Sequence, residues 1–424
     1  MEIYVVRSGD TIYQIARRYP TSMDSIISAN QLQNPNVLSV GQAVIIPNRE
    51  TRHTVSRGDT LYSIARRYGV SLQRLIAANH QIINPSRIYP GQTIVIPADG
   101  QQMREIIVNG YMTHAADSTL NDTLPYLTFL SPFSYRSDLL GNLTPTFDLN
   151  VTLSGGQRTA NLLTLTNLLE AGGFSSQIAH AILTDQTVQE TFLENTEALL
   201  RQGGWYGVNV DFEYIYQFDR ESYDRFLRRL TERMHQLGYI VVTALAPKLS
   251  DDQQGLLYSA HDYAAHGQTV DYVVLMTYEW GYTYGPAMAV APLNKVRQVL
   301  DYATQVMPAG KILMGIPNYG YDWTLPFVQG TAARSLTNIA AVTLAGQVGA
   351  SIQYDQTAQS PFFRYYDGDG RQHEVWFEDA RSLRAKYALV NEYGLAGVSF
   401  WNLNNLFRTN FIVLESIFSV EKVL

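Results

Sequence analysis

Three polar side chains alternate with apolar ones in the segment Gly207-Val-Asn-Val-Asp-Phe-Glu213. Successive side chains of a β-strand point to opposite faces, so Asn209, Asp211 and Glu213 would share one face. Burying three polar groups is costly unless they are used, and a carboxylate beside a like charge in a poorly hydrated site has a raised pKa. We therefore expect Glu213 to remain protonated near neutral pH and to act as a general acid coupled to Asp211. The alternative is a polar cluster that only orders the interior.

The elements that would position these groups alternate between strands and helices from Arg104 onward. The apolar runs typical of buried parallel strands are Glu105–Tyr111, Tyr126–Phe133, Leu162–Asn167, Gly207–Phe212, Tyr239–Ala246, Tyr272–Tyr278, Lys311–Pro317 and Gly394–Trp401. Helical periodicity intervenes, as in Asp219–Leu237 and Ala380–Glu392. Eight strand–helix units in about 320 residues predict a TIM (β/α)8 barrel, an α/β fold whose active sites lie at the C-terminal ends of the strands. Glu213 falls at such an end.

The connection after the seventh predicted strand is too long for one helix. We expect an inserted α+β subdomain at about residues 322–379, with a hairpin in Phe362–Phe377 around Asp367-Gly-Asp-Gly370. This loop superficially resembles a calcium loop, but it lacks the glycine and the third carboxylate of that motif. A hairpin turn is therefore the interpretation we adopt, and no metal site is expected.

Four sequence blocks along residues 100–424 together resemble glycoside hydrolase family 18, the chitinase-like enzymes. The segment ending at Glu213 is similar to the family signature D-G-x-D-x-D-x-E. The others, in the family's order, are Met276-Thr-Tyr-Glu279, Gly315-Ile-Pro-Asn-Tyr-Gly320 and Gly397-Val-Ser-Phe-Trp401. The resemblance implies the same barrel and a hydrolase that acts on glycans with N-acetylated sugars, without a cofactor.

The resemblance also implies a role for each matching residue in a retaining, substrate-assisted reaction. Glu213 would protonate the leaving oxygen while the substrate's own 2-acetamido carbonyl attacks the anomeric carbon. Asp211 would orient that acetamido group, and the Tyr278 hydroxyl would donate to its carbonyl. Trp401 would form the apolar floor under the sugar. No enzyme nucleophile is needed, which departs from the usual scheme of two carboxylates.

The sequence departs from the family pattern at three positions. Tyr206 and Asn209 replace two aspartates of the signature, so the proton sharing attributed to the second one cannot occur in that form. Asn209 is still counted with the substrate-binding residues. Glu279 replaces an aspartate, and it is interpreted either as part of the hydrogen-bond network around the bound sugar or as a simple loop acid. The residues expected to line the cleft, with plain packing as the alternative, are Asn318, Tyr319, Tyr321, Trp280, Tyr282 and Tyr284.

Residues 3–97 contain an internal repeat. The block Ser8-Gly-Asp-Thr-Ile-Tyr-Gln-Ile-Ala-Arg-Arg-Tyr19 returns as Arg57-Gly-Asp-Thr-Leu-Tyr-Ser-Ile-Ala-Arg-Arg-Tyr68, and Gly41-Gln-Ala-Val-Ile-Ile-Pro47 returns as Gly91-Gln-Thr-Ile-Val-Ile-Pro97. Turn residues, N-caps and helical spacing predict a strand, two helices and a second strand in each copy. The chain thus divides into units at 1–49, 50–98 and 99–424.

The two small units resemble LysM domains, which implies binding to N-acetylglucosamine-containing glycans such as peptidoglycan or chitin. The loop after the first strand would line the sugar groove, together with the loop before the last strand. The corresponding residues are Gly9, Asp10 and Thr11 in the first unit and Gly58, Asp59 and Thr60 in the second. The alternative is that these are turn residues only.

Composition narrows the classes of protein. The net charge is −7 over 424 residues, which argues against a globally basic nucleic-acid binder. There is no cysteine, so disulfides, thiol nucleophiles and cysteine-based zinc sites are excluded. We see no secretion signal at the N-terminus and no apolar run long enough to cross a membrane. Charge is uneven, at +5 in residues 1–98 and −12 in the remainder.

Two LysM-like units before such a barrel resemble the spore N-acetylglucosaminidases that degrade cortical fragments in endospore-forming bacteria. The expected reaction is hydrolysis of the β-1,4 bond after N-acetylglucosamine in peptidoglycan, in a protein deposited on the spore. We expect a monomer. One alternative is a chitinase or chitooligosaccharide hydrolase that uses the same mechanism. The other is an inactive spore coat protein that only binds the wall.

Overall fold

A computed structural model gives the fold of residues 1–47, 51–70, 72–79, 82, 84–96, 103–114, 116–146 and 158–424. The predicted unit boundaries at 49/50 and 98/99 lie outside these described residues. Within them, the architecture is a closed parallel barrel with helices around it, preceded by two small α+β units. The predicted fold class is confirmed.

The two small units have the predicted order of elements. Their strands and helices are β1 (Glu2–Val5), α1 (Ile12–Arg18), α2 (Met23–Ala29), β2 (Ala43–Ile46), β3 (Thr51–Thr54), α3 (Leu61–Tyr68), α4 (Leu72–Ala77) and β4 (Thr93–Ile96). In each unit the two strands pair in antiparallel fashion. An asparagine ties the second helix to the last strand in each unit. Asn30 donates to Ile45 O and accepts from Ile45 N, and Asn79 does the same with Val95. Such paired polar groups are tolerated in a small core.

The strands after the small units build the barrel and an inserted sheet. They are β5 (Glu105–Met112), β6 (Phe129–Pro132), β7 (Tyr135–Ser137), β8 (Leu143–Pro145), β9 (Ala160–Thr166), β10 (Gly207–Asp211), β11 (Ile240–Leu245), β12 (Tyr272–Leu275), β13 (Ile312–Pro317), β14 (Tyr319–Leu325), β15 (Arg334–Thr337), β16 (Gln353–Asp355), β17 (Ser360–Tyr366), β18 (Gln372–Trp376), β19 (Gly397–Trp401) and β20 (Ser419–Val420). The closed parallel order is β10-β11-β12-β13-β19-β5-β6-β9, and β9 pairs again with β10.

All eight predicted barrel strands occur, although some of their ends differ. The second was expected from Tyr126, but Leu124–Tyr126 forms a 3-10 turn and β6 begins at Phe129. The sixth was expected to reach Tyr278, but β12 ends at Leu275. There the chain turns sharply, because Tyr278 N donates to Met276 O, two residues back, instead of to a neighbouring strand.

Helices cover the outside of the barrel and of the inserted sheet. They are α5 (Asp117–Thr123), α6 (Ser176–Thr184), α7 (Gln186–Arg201), α8 (Arg220–Gln236), α9 (Tyr263–Thr269), α10 (Leu293–Val306), α11 (Asn338–Gln347), α12 (Ala380–Glu392) and α13 (Arg408–Glu415). Apolar side chains of the strands that face outward pack against these helices in one large core. The two helices predicted by periodicity correspond to α8 and α12.

The long connection after the seventh barrel strand forms a five-stranded antiparallel sheet in the order β15-β14-β18-β17-β16, with α11 beside it. This sheet begins at Tyr319, three residues before the expected start of the insertion. The predicted hairpin is the β17–β18 pair. Its turn is closed by Asp367, whose Oδ1 accepts from the backbone N–H groups of Asp369 and Arg371.

The first small unit is docked on the barrel and on the insertion. Ile352 N donates to Val40 O at 2.8 Å, and an Ala Cβ at position 41 would stand 1.8 Å from Ile352 O. On the barrel side, Arg408 N donates to Gln31 Oε1 at 2.7 Å. Backbone-level contact of this kind leaves room only for glycine at position 41.

Candidate active site

The fourth barrel strand, β10, divides its side chains between two environments. Val208, Val210 and Phe212 belong to the core under the helices. Asn209 and Asp211 are buried on the opposite face, inside the barrel. This is the arrangement that the alternation in the sequence predicts, because a strand has a period of two.

Asn209 lies in a layer of neutral polar groups below Asp211. Its Nδ2 donates to Tyr111 OH at 2.8 Å and to Ser131 Oγ at 3.2 Å. Ser131 in turn donates to Asn109 Oδ1. Asn209 Oδ1 is buried without a hydrogen-bond partner among the described residues. Because Ser131 spends its only proton on Asn109, its contact with residue 209 needs a donor there, which an amide supplies and an ionised aspartate does not.

Asp211 is a buried acid with unused hydrogen-bonding capacity. Burial raises its pKa to about 7, because desolvation disfavours the ionised form. Its Oδ1 has no hydrogen-bond partner within the described part of the chain. An acceptor of this kind at the open end of a barrel is available to a ligand.

Glu213 lies just past the end of β10, at the mouth of the barrel. Burial raises the pKa of its carboxyl well above the usual value, and the charges of Asp211 and Glu279 raise it further. A carboxyl whose pKa is raised keeps its proton to higher pH than an ordinary glutamic acid, which suits a proton donor. The three carboxyl groups therefore form one electrostatic cluster.

The backbone around Glu213 is held by two side chains, one at the end of β9 and one in the loop before α9. Asn167, just after β9, donates to Glu213 O at 2.8 Å and accepts from Glu213 N at 3.0 Å. His261 Nδ1 accepts from Ala246 N, so its Nε2 carries the proton and donates to Phe212 O at 3.0 Å. Burial lowers the pKa of His261 to about 4, so the ring is neutral at pH 7. These contacts fix the main chain between the two catalytic candidates.

Tyr278 is nearly enclosed beside the carboxyl cluster. Burial raises the pKa of its hydroxyl well above the usual value, and so do the nearby charges of Asp211, Glu213 and Glu279. The hydroxyl is therefore protonated at all ordinary pH values and offers an O–H donor to a ligand.

Glu279 faces the same cleft from the segment after β12. Its backbone is left-handed, with φ +66°, which is uncommon for a residue with a side chain. Tyr319 OH and Tyr321 OH both donate to its carboxylate, Tyr321 at 3.1 Å. Burial raises the pKa of Glu279, and the two tyrosine hydrogen bonds oppose that shift. These contacts support the interpretation of Glu279 as a member of the cleft network, which stays a prediction.

The aromatic and amide candidates occupy different places. Trp401, partly exposed at the end of β19, packs edge-on against Tyr111 and Phe133, with ring centroids at 5.6 and 4.9 Å. Asn318 is buried, and its Nδ2 donates to the carbonyls of residues 402 and 405, so its amide holds the loop after β19. Trp280 packs partly against the barrel core. Tyr282 and Tyr284 are exposed.

The glycan-binding candidates of the small units are Gly9, Asp10, Thr11, Gly58, Asp59 and Thr60. Each aspartate accepts from the backbone N–H three residues earlier, at 2.8 Å in both units. Each threonine caps the following helix. Both glycines have left-handed φ values, +82° and +94°. These contacts build the loops. They are compatible both with a glycan-binding role for these residues and with a role as turn residues only.

Sequence reasoning missed Asn167 and His261. Both lie outside the recognisable blocks, and neither carries a charge that would mark it. The polar end of the third predicted strand, Leu162–Asn167, was the only signal for Asn167. For His261 no local pattern pointed to the site.

Among the described residues, no group of three or more His, Asp or Glu side chains is arranged so that it could hold a metal ion. No helix in the described ranges is long and apolar enough to cross a membrane. The chemistry within reach of the cleft is a buried proton donor, a neighbouring acid and a tyrosine hydroxyl. These groups suit a reaction in which an enzyme acid protonates the leaving oxygen and the substrate's own acetamido group acts as the nucleophile.

Comparison with known proteins places these observations in a family. Residues 157–405, more than half of the chain, match the model of glycosyl hydrolases family 18, and residues 4–47 and 53–97 match the LysM domain. The chain is 44% identical to the cortical fragment-lytic enzyme of Bacillus subtilis (strain 168), over 100% of this chain and 99% of that protein. It is 41% identical to the cortical fragment-lytic enzyme of Bacillus anthracis, again over 100% and 99%.

Solved structures agree with this relationship. The spore cortex-lytic enzyme SleL of Bacillus megaterium QM B1551 superimposes with a TM-score of 0.84 at 38% identity, covering 100% of this chain and 99% of that one. A chitinase from Chromobacterium violaceum superimposes with a TM-score of 0.68 at 27% identity, covering 73% of this chain and 97% of that one. The chain is therefore a glycoside hydrolase that belongs to glycosyl hydrolases family 18 and carries two LysM domains.

Proposed function

We propose that this protein is an N-acetylglucosaminidase of spore cortex peptidoglycan and of its fragments. The observation that carries the proposal is the alignment over the whole chain, both LysM domains included, with proteins named cortical fragment-lytic enzyme. The proposed reaction is retaining hydrolysis of the β-1,4 bond after N-acetylglucosamine. A chitinase is the second candidate, supported by the likeness of the barrel to a chitinase structure.

In this proposal Glu213 donates its proton to the glycosidic oxygen. The substrate's acetamido carbonyl attacks the anomeric carbon and forms an oxazolinium ion, and Glu213 then removes a proton from the water that opens it. Asp211 accepts the acetamido N–H through its unpaired oxygen. Tyr278 donates its O–H to the acetamido carbonyl.

The remaining site residues bind the sugar or support those that do. Trp401 forms the apolar floor of the cleft, and Glu279, with Tyr319, binds sugar hydroxyls. Asn209 keeps a neutral hydrogen-bonded layer under Asp211. Asn318 fixes the loop beside Trp401. Trp280 contributes to the wall of the cleft.

The LysM domains bind the same polymer and raise the local concentration of substrate at the barrel. We place the domains at 1–49, 50–98 and 99–424, with the insertion at about 322–379. The loops at Gly9–Thr11 and Gly58–Thr60 line the two grooves. The site of action in this proposal is the spore coat and cortex, and the protein works as a monomer.

The experiment is digestion of purified cortical fragments, with the new reducing ends identified by mass spectrometry. The wild type should release fragments ending in N-acetylglucosamine, and Glu213→Gln should release none. Glu170→Gln, at an exposed acid, is the matched control and should behave like the wild type. New ends of N-acetylmuramic acid would overturn the bond specificity. Equal release by the wild type and Glu213→Gln would support the inactive wall-binding alternative.

A further inference from the structure

A stacked aromatic pair stands on the surface of the loop that follows the catalytic strand. Tyr216 and Phe218 have ring centroids 5.0 Å apart and planes inclined by 19°. Phe218 is 73% exposed, one of the most exposed large apolar side chains among the described residues. One face of the pair is therefore open to a flat ligand.

The residues around the pair support its position. Phe218 lies in the 3-10 turn Gln217–Asp219, and the buried Asp219 carboxylate receives His180 Nδ1 at 2.8 Å. The imidazole of His180 packs edge-on against Phe218, at 5.8 Å between ring centroids. An aromatic surface fixed in this way loses little conformational entropy when a ligand covers it.

The pair is close to the bond-cleaving centre. Phe218 follows Glu213 by five residues, so their Cα atoms lie within about 18 Å of each other. Tyr214 lies between them in the chain and is exposed. The charge of Glu213 raises the pKa of the Tyr214 hydroxyl further than burial alone does, so this side of the loop is near the catalytic acid. A glycan strand that extends from Glu213 toward this loop would reach Phe218 within that distance.

A cavity of about 340 Å³ is lined in part by Phe218. Its polar walls include Gln217, Gln253, Gln254, Asp251 and Asp252. The cation in the wall, Arg220, is paired with Asp251 at 2.5 Å and with Asp262 at 2.6 Å. The carboxylates of this wall accept hydrogen bonds, and its amides both accept and donate them, so the wall can pair with hydroxyl and acetamido groups. The excess of acidic side chains repels an anionic sugar.

We propose that Tyr216, Phe218 and this cavity form an accessory subsite for a neutral N-acetylated hexosamine unit of the glycan strand, beyond the bond that is cut. The C–H face of the sugar stacks on Phe218, and its hydroxyls bind the carboxylate and amide wall. The inference deepens the proposed function and rests on it. Its consequence is a preference for strands long enough to reach from Glu213 to Phe218.

The test compares Phe218→Ala with Phe218→Trp, and Tyr366→Ala is the matched control because Tyr366 is 67% exposed on the remote β17–β18 hairpin. Purified cortical oligosaccharides of increasing length are the substrates. Phe218→Ala should lower kcat/KM about five- to tenfold on long strands, as expected for one lost aromatic contact, and leave the shortest cleavable substrate unchanged. Phe218→Trp should keep the preference for length.

A binding arm separates failure of the subsite from failure of the proposed function. In the Glu213→Gln background, affinity for N-acetylglucosamine hexamer and dimer is measured by calorimetry. Phe218→Ala should weaken hexamer binding by a similar factor and leave dimer binding alone. If Glu213→Gln binds the hexamer equally well with and without the additional Phe218→Ala change, the proposal of a subsite is overturned. Cleavage of no cortical oligosaccharide by the wild type, with the hexamer effect present, would reject the proposed function and retain the subsite.

Discussion

Asn167 brackets Glu213 with two hydrogen bonds, donating from Nδ2 to the Glu213 carbonyl at 2.8 Å and accepting at Oδ1 from the Glu213 amide at 3.0 Å. Glu213 lies beyond the last residue of β10, so no neighbouring strand makes these bonds. The amide side chain thus substitutes for a strand partner and sets where the acid stands.

We predict that Asn167→Ala lowers kcat at least tenfold, because displacement of a catalytic group by about 1 Å is enough for a large loss of rate. It should also lower the free energy of unfolding by about 1–3 kcal/mol, since the Glu213 amide and carbonyl lose their partners. Steady-state kinetics and urea unfolding measure the two effects. Asn338→Ala, which removes a comparable amide–backbone bond to Glu378 in the insertion, should lose stability and keep kcat. Equal kcat in both variants would exclude a positioning role for Asn167.

The buried carboxyl of Asp211 predicts how stability depends on pH. Its pKa is about 7 in the folded protein and about 3.9 in an unfolded chain, so between these values the folded state binds more protons. Stability then falls as pH rises from about 4 to 7. Asp211→Asn has no carboxyl to ionise and does not lose stability in this way. The difference in unfolding free energy between the variant and the wild type should therefore shift in favour of the variant as pH rises through this range. Parallel urea titrations at pH 4 and pH 8 measure it, and a constant difference between the two proteins would contradict the prediction.

The charge of Glu279 raises the pKa of Glu213. Glu279→Gln should therefore lower that pKa, and the alkaline limb of the pH–kcat profile should move to lower pH. Tyr321→Phe removes one of the two tyrosine hydrogen bonds that hold the pKa of Glu279 down. This variant should therefore raise the pKa of Glu279, while the Glu279 carboxyl group itself is retained. An unchanged alkaline limb in Glu279→Gln would show that the two acids do not interact during turnover.

The docking of the first LysM domain can be tested with paired glycines. Gly41 and Gly91 are equivalent in the repeat and both left-handed, at φ +83° and +88°. An added Cβ would lie 1.8 Å from Ile352 O at position 41 and would have nothing within 4 Å at position 91. Both alanine variants carry the left-handed cost of about 1–2 kcal/mol, and Gly41→Ala carries the clash as well. It should therefore speed amide hydrogen exchange at Ile352, whereas Gly91→Ala should not.

Local patterns in the sequence were sufficient for most of the framework. The repeated Gly-Asp-Thr blocks predicted both small units, because caps and helical spacing act within a few residues of one another. Apolar runs predicted the eight barrel strands, and alternation placed Asp211 inside the barrel. The predicted end of the sixth strand was wrong, because Tyr278 N donates its hydrogen bond to Met276 O instead of to a neighbouring strand.

The amino-acid sequence by itself determined which acids enter the barrel, because the period of a strand is a local property. Only the tertiary structure decided how Glu213 is held. Asn167 is 46 residues from it, and His261 reaches Phe212 across 49 residues. The same holds for Glu279, which receives hydroxyls 40 and 42 residues away. These contacts exist only once the barrel closes and brings the ends of separate strands together, so they leave no periodic signal in the chain.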